Sequence, residues 1–162
     1  MTTIAIFGYP GAGKSWAVSN YLQGKMAVRK RIGLVDYHDL GEVAVMGIYD
    51  GSKFQGTDRL SMAVSTDFAR FLETMKTEGK QYVIGEGDRI NNLVFLRAAI
   101  ALSSTIRVKC DPKDYETLRL QRAQRNHQFP QSFLKATGSK VDKHFYDTTL
   151  TSDQLLVYLN QL

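Results

Sequence analysis

The side chains with the clearest chemical purpose stand together near the start of the chain, in the segment Gly8-Tyr9-Pro10-Gly11-Ala12-Gly13-Lys14-Ser15. Their spacing fits G-x-x-x-x-G-K-[ST], the Walker A pattern of loops that bind nucleotide phosphates. Glycines let the backbone turn tightly, so that several N–H groups point at one phosphate. Lys14 can reach the β- and γ-phosphates, and the Ser15 hydroxyl can hold Mg²⁺. The pattern predicts ATP and Mg²⁺ as ligands, with the nucleotide held by Gly8, Gly11, Ala12, Gly13, Lys14 and Ser15.

The elements on either side of this segment suit the same role. An apolar run at residues 3–7 predicts a buried strand, and residues 14–23 predict a helix. A strand, a glycine-rich turn and a helix in this order form the context that a phosphate-binding loop requires. The alternative, a chance glycine-rich turn, does not account for both flanking elements.

Predicted strands and helices alternate along the rest of the chain. Strands are expected at 32–35, 81–84 and 105–110, and helices at 60–77, 91–102, 112–126, 131–136 and the C-terminal end. Alternation of this kind predicts an α/β fold of three layers, with a mainly parallel central sheet and helices on both faces. One domain is expected over residues 1–162, with a basic connector at 25–31, a substrate-side insertion at about 37–60 and a basic lid at about 112–140.

Three helices carry more specific signals. Apolar residues recur at helical spacing in the 60–77 helix and predict its buried face: Val64, Phe68, Phe71, Leu72 and Met75. The 91–102 helix is apolar nearly all round, which predicts that it is buried. Thr151 and Gln154 match a capping box at the start of the last helix.

Acidic residues follow two of the predicted strands. The carboxyl ends of parallel strands share one edge of a sheet, where ligands bind in α/β folds. A hydroxyl that accepts a phosphoryl group needs a carboxylate to orient it and take its proton. Asp36 is the first candidate for this catalytic base and Asp39 the second, whereas Glu86 is placed to hold Mg²⁺ with Ser15. The alternatives are that Asp36 caps a loop and that Glu86 and Asp88 belong to an ordinary turn.

Positive charge is concentrated late in the chain. Residues 107–143 hold nine Lys/Arg and four Asp/Glu, a net charge of +5 that equals the charge of the whole chain. Arg119, Arg122 and Arg125 recur every third residue and so share one broad helix face. Because the guanidinium is planar and always ionised, we expect Arg119 and Arg122 to bind nucleotide and Arg122 also to act in catalysis with Lys14. The same charge also suits DNA, or simply a solvated face.

Bulk properties narrow the class of protein. Cys110 is the only cysteine, which excludes a disulfide within the chain, argues against a cysteine-based zinc site and favours a reducing compartment such as the cytoplasm. No apolar run approaches the length of a membrane span, so no membrane partner is expected. The first strand begins so near Met1 that no leader peptide is expected. The N-K-x-D motif of GTPases is absent from the sequence.

The glycine-rich segment, Asp36 and the arginine-rich helix resemble the P-loop kinase group, which includes shikimate, gluconate, nucleoside monophosphate and polynucleotide kinases. Three segments carry a narrower resemblance: DYHDLG at 36–41, FQGTDRLSM at 54–62 and GEGDR at 85–89. They are similar to phage P-loop kinases that phosphorylate the hydroxymethyl group of 5-hydroxymethyluracil in DNA, a step in thymidine hypermodification. This resemblance implies DNA containing 5-hydroxymethyluracil as the substrate, and action in the cytoplasm of a host cell.

A DNA substrate of this kind has structural requirements. A base inside a duplex must be flipped out before it can reach a phosphate-binding loop. Lys53 and Arg59 could contact DNA phosphates, and one of the aromatic residues Tyr37, Tyr49 and Phe54 could stack on the base, although each of these also suits ordinary packing. Tyr37, Asp39 and Arg59 are therefore the expected substrate residues.

Two other functions stay open from the sequence. One is a small-molecule or nucleotide kinase that acts on a free hydroxyl or phosphate. The other is a non-catalytic ATP-binding switch, which would not need Asp36.

Overall fold

A central sheet with helices on its faces is described by a computed structural model for residues 1–52, 55–111, 141 and 145–162. The strands are β1 (Thr2–Phe7), β2 (Val28–Ile32), β3 (Val35–Asp39), β4 (Val43–Met46), β5 (Tyr82–Glu86), β6 (Ser104–Asp111) and β7 (Thr148–Thr151). The α-helices are α1 (Lys14–Leu22), α2 (Phe68–Thr77), α3 (Leu93–Leu102) and α4 (Ser152–Leu159). Short 3-10 turns occupy Thr57–Arg59, Met62–Asp67 and Asp88–Ile90.

The seven strands lie in the order β2-β3-β4-β5-β1-β6-β7. Five neighbouring strands, from β4 to β7 across the sheet, are parallel to one another. β3 runs antiparallel to β4, and β2 pairs antiparallel with β3 at the sheet edge. The predicted α/β class with a mainly parallel sheet is confirmed.

Alternate residues of β1 point to opposite faces of the sheet and so divide the core into two halves. Ala5 and Phe7 pack in the half that contains the buried residues of α2 and α3. Ile4 and Ile6 pack in the half that contains those of α1 and α4. The described elements therefore form the three layers that the alternation of strands and helices predicted.

The predictions for residues 25–35 are wrong. The expected basic connector contains β2, and the expected strand at 32–35 spans the turn of a β2–β3 hairpin around Gly33 and Leu34. A strand of exposed charged residues lacks the apolar pattern that sequence reading relies on. It is stable here because it is an edge strand whose arginines pair with a carboxylate on β3.

The predicted insertion at 37–60 is also wrong in its first part. β3 continues to Asp39, and all four residues of β4 are buried beside β5. The β4 run is short and stands between Gly41 and Gly47, which made it read as a loop. Only residues after Met46 leave the sheet.

The other elements follow the predictions with differences at their ends. The expected core face of the 60–77 helix is fully buried, although its first part is a 3-10 turn and α2 begins at Phe68. The expectation that the 91–102 helix is buried all round is wrong, because Leu93, Val94 and Ile100 of α3 are exposed. The Thr151–Gln154 capping box is confirmed.

Two parts of the predicted organisation fall elsewhere. β7 was not predicted from the sequence, because it has only four residues, is rich in threonine and lies directly before the capping box. The basic lid at 112–140, with its two predicted helices, lies outside the described residues.

Candidate functional site

A crevice is expected where β1 and β5 end, because the chain leaves these two neighbouring parallel strands in opposite directions. After β1 it passes to α1 on one face of the sheet, and after β5 it passes to α3 on the other. Such a divergence opens a ligand-binding crevice at the carboxyl ends of the strands. The segment 8–15 follows β1, and Glu86 ends β5 directly opposite Ile6.

The glycine-rich segment adopts a backbone that depends on its glycines. Gly13 has φ +91°, and a Cβ there would lie 2.6 Å from the Ser152 Cβ at the start of α4. The loop is also tied to β6, since Cys110 Sγ donates a hydrogen bond to the Ala12 carbonyl over 3.2 Å. Gly13 leads directly into α1, whose first turn contains no acidic residue. A helix N-terminus of this kind attracts anions.

Lys14 folds back across the loop that precedes it. Its Nζ donates hydrogen bonds to the carbonyl oxygens of Gly8 at 3.0 Å and Tyr9 at 3.2 Å. The side chain therefore spans the concave side of the segment, where a phosphate oxygen could replace a carbonyl as its partner.

Glu86 is the buried acid of this site, with 1% of its surface exposed. It accepts a hydrogen bond from the Tyr49 hydroxyl at 3.0 Å, and the Ser15 hydroxyl lies close enough to its carboxylate to lower the pKa of Glu86. Its Oε2 has no hydrogen-bond partner among the described residues. Burial raises the pKa of Glu86 to about 7, although the positive charge of Lys14 opposes the rise. The expected approach of Ser15 and Glu86 is therefore present in the structure.

The loop after β4 packs against Glu86 and supplies two residues that had no predicted role, Gly56 and Thr57. Thr57 Oγ1 donates a 2.6 Å hydrogen bond to the Glu86 carbonyl, and Gly56 lies so close that a Cβ there would overlap the Glu86 carboxylate. A second contact fixes the position of Tyr49, because its backbone N–H donates a hydrogen bond to His38 Nε2. The Gly56-Thr57 pair inside the 54–62 segment was the sequence signal for this contact.

Asp58 and Asp88 meet beside Glu86. The Asp88 N–H donates a 2.6 Å hydrogen bond to Asp58 Oδ1. Partial withdrawal from water raises the pKa of Asp58, and the Asp88 charge adds to the rise while Lys14 opposes it. The residue nevertheless keeps an exposed surface.

Asp36 lies at the predicted edge of the sheet, where its carboxylate pairs with two arginines. It stands near the beginning of β3, which runs antiparallel, and its carbonyl accepts from Gly47 N. Its buried carboxylate lies 3.3 Å from Arg29 and 2.8 Å from Arg31 on β2. β3 is two strands from β5, a separation of about 10 Å. The structure therefore places Asp36 in an ion-pair cluster with two arginines and not beside Lys14.

Asp39 lies at the opposite edge of the sheet from the glycine-rich segment, since it pairs with Ala44 near the start of β4. Its carboxylate lies 2.7 Å from Lys30 Nζ and 2.5 Å from Lys80 Nζ. Although burial opposes it, hydrogen bonds from these two lysines lower the pKa of Asp39 to about 2. The expectation that Asp39 contacts substrate at the crevice is not met by this geometry.

The remaining predicted substrate residues have other contacts. Tyr37 is buried and packs edge-on against Phe71 at a centroid distance of 5.3 Å, so it is a core residue and not a stacking surface. Arg59 is partly exposed and pairs with Asp50 at 3.0 Å. Four other predicted residues lie outside the described part of the chain: Lys53, Phe54, Arg119 and Arg122.

The protein oxygens at this site are too few to hold a small hard cation such as Mg²⁺ by themselves, so a bound ligand must supply further oxygens. Among the described residues, no three His, Cys, Asp or Glu side chains form a group of metal ligands. Mg²⁺ is commonly held by one or two protein oxygens together with substrate phosphates. The Ser15 hydroxyl and the unpartnered Glu86 Oε2 provide that donor set.

No family model, curated protein or solved structure matches this chain. In the parts of the chain that the structure describes, no helix is long and apolar enough to cross a membrane. The interpretation of the site therefore depends on its residues and their geometry.

Proposed function

We propose that this chain is an ATP-dependent phosphotransferase of the P-loop kinase type. Convergence of Ser15 and Glu86 beside Lys14 supports this most strongly, because it unites a hydroxyl, a buried carboxylate and a lysine at a glycine-rich helix N-terminus. Phosphoryl transfer requires positioning and neutralisation of charge more than covalent chemistry by the protein. These residues supply both.

Each residue has a defined part in the proposed reaction. The backbone N–H groups before α1 bind the phosphates of ATP, and Lys14 exchanges its carbonyl partners for phosphate oxygens. Ser15 and Glu86 would hold Mg²⁺, which neutralises charge on the phosphates when it is bound. Tyr49 and Thr57 keep Glu86 in place through its side chain and its carbonyl.

The acceptor we propose is the hydroxymethyl group of 5-hydroxymethyluracil in DNA. Two segments that resemble kinases of this class, 54–62 and 85–89, contact each other beside Ser15 through the Thr57–Glu86 and Asp58–Asp88 hydrogen bonds. The exposed strand β2 carries three basic side chains that pair with only two carboxylates, Asp36 and Asp39, which leaves an excess of positive charge suited to a DNA backbone. Such a kinase would act where ATP and viral DNA meet, in the cytoplasm of the host cell.

The test is transfer of labelled γ-phosphate from ATP to DNA that contains 5-hydroxymethyluracil, beside thymine DNA and the free nucleotide. We expect label on the modified DNA alone, with a rate that falls steeply as salt increases. Label on the free nucleotide, with little effect of salt, would instead identify a small-molecule kinase. ATP binding without transfer to any hydroxyl would identify a nucleotide switch and contradict the proposal.

Lys14→Ala should abolish transfer while the fold is kept, as judged by circular dichroism and thermal unfolding. Lys76→Ala removes an exposed lysine on α2 and is the matched control. Transfer by Lys14→Ala at the wild-type rate would remove the glycine-rich segment from the mechanism.

A further inference from the structure

We propose that Asp58 is the catalytic carboxylate that orients the acceptor hydroxyl and takes its proton, an inference that rests on the phosphotransferase function proposed above. The sequence pointed to Asp36 for this role. The described structure pairs Asp36 with two arginines on β2 and places Asp58 beside Asp88, just after the end of β5.

Other carboxylates near this edge of the sheet have partners that make them poor proton acceptors. Asp36 is held by two arginines, and Asp50 is held by Arg59. Glu86 is buried, accepts a hydrogen bond from Tyr49 and is the ligand proposed to hold Mg²⁺ with Ser15.

Asp58 combines exposure with a fixed position. It lies in the 3-10 turn between Thr57, which is anchored to the Glu86 carbonyl, and Arg59. Its Oδ1 is fixed by the Asp88 N–H, and a Cβ on Gly87 would lie 2.7 Å from that oxygen. The carboxylate is therefore held in one orientation against the end of β5, while the residue remains open to a substrate.

The charges that face Asp58 suit a group that must gain and lose a proton. Burial and the negative charge of Asp88 raise the pKa of Asp58, whereas the Asp88 N–H, Lys14 and Arg89 favour its ionised form. Glu86 also faces this carboxylate and interacts with its charge. The positive charge of Lys14, the side chain expected to contact the γ-phosphate, is among those that act on Asp58. A base with a raised pKa accepts a proton more readily near neutral pH.

In the proposed step, the proton of the acceptor O–H passes to an Asp58 carboxylate oxygen. A bond forms between the acceptor oxygen and the γ-phosphorus, and the bond from that phosphorus to the β,γ-bridging oxygen breaks, which leaves ADP. Asp58 then releases the proton to solvent.

The test compares Asp58→Asn with the wild type in the transfer assay across a range of pH. The amide oxygen of asparagine can still accept the Asp88 N–H, so the turn should be kept. We expect kcat to fall about 10²–10⁴-fold, the usual contribution of a positioned base, with ATP affinity unchanged. At saturating Mg²⁺ and ATP, where the bound cation keeps Glu86 ionised, the acidic limb of the kcat–pH profile should disappear in Asp58→Asn and should shift in Asp58→Glu.

Three further arms make the result decisive. Glu73→Gln, on the exposed face of α2, controls for loss of a carboxylate and should behave as wild type. If Asp36→Asn removes the acidic limb and Asp58→Asn keeps it, the original assignment to Asp36 is right and this inference is overturned. Wild-type protein that transfers phosphate to no acceptor overturns the proposed function itself, an outcome distinct from an active enzyme that does not need Asp58.

Discussion

Replacing the buried acid of the site should stabilise the fold while it removes nucleotide binding. Burial raises the pKa of Glu86 from its ordinary value of 4.5 to about 7. At a pH above 7 the folded protein therefore keeps an ionised Glu86 carboxylate buried away from water, whereas in the unfolded chain water solvates this charge. The rise in pKa corresponds to about 3 kcal/mol of lost stability at high pH.

The sign follows from proton binding. Because folded Glu86 binds its proton more tightly than the unfolded chain does, the loss is absent below pH 4.5 and grows between pH 4.5 and about 7. Glu86→Gln removes the charge and keeps the shape. At about pH 8 we expect Glu86→Gln to be more stable than wild type by about 3 kcal/mol, or about 6–12 °C in Tm for a domain of this size.

The assay is urea unfolding followed by circular dichroism at about pH 4 and about pH 8, in the absence of nucleotide. Near pH 4 the two proteins should agree within about 0.5 kcal/mol. Glu73→Gln, an exposed matched control, should equal the wild type at both pH values. The reasoning would be refuted if Glu86→Gln were no more stable than the wild type at high pH. It would also be refuted if the gain in stability of Glu86→Gln were equally large at low pH. Addition of Mg²⁺ and ATP should raise the Tm of the wild type but not that of Glu86→Gln.

Two more substitutions distinguish residues that affect nucleotide binding from residues that affect only the stability of the fold. Gly56→Ala should lower stability and nucleotide binding, because its Cβ would overlap the Glu86 carboxylate. Gly51→Ala is the control, since Gly51 has a similar positive φ but open space around it. Equal effects of the two substitutions in thermal unfolding and ATP titration would contradict this contact. Asp39→Asn should cost about 3 kcal/mol, because buried Lys80 loses its charged partner, while ATP affinity stays intact. A urea midpoint equal to wild type would contradict that role.

Sequence patterns predicted the elements whose residues have local signatures. Helix α1 and the Thr151–Gln154 cap depend on neighbours within a few residues, and the five core positions of the 60–77 helix repeat at helical spacing. The β2–β3 hairpin and β4 escaped prediction because their stability comes from partners across the sheet: a buried carboxylate under two arginines, and a fully buried four-residue strand beside β5.

For the site, residue types and their spacing along the chain are enough to identify the glycine-rich segment, Lys14, Ser15 and a carboxylate after a buried strand. Which acids meet that segment depends on the fold. Hydrogen bonds and burial between distant segments place Glu86 against Ser15 and Asp58 against Asp88, and they commit Asp36 and Asp39 to cations. A carboxylate's partner depends on strand order and direction, which the sequence does not display locally.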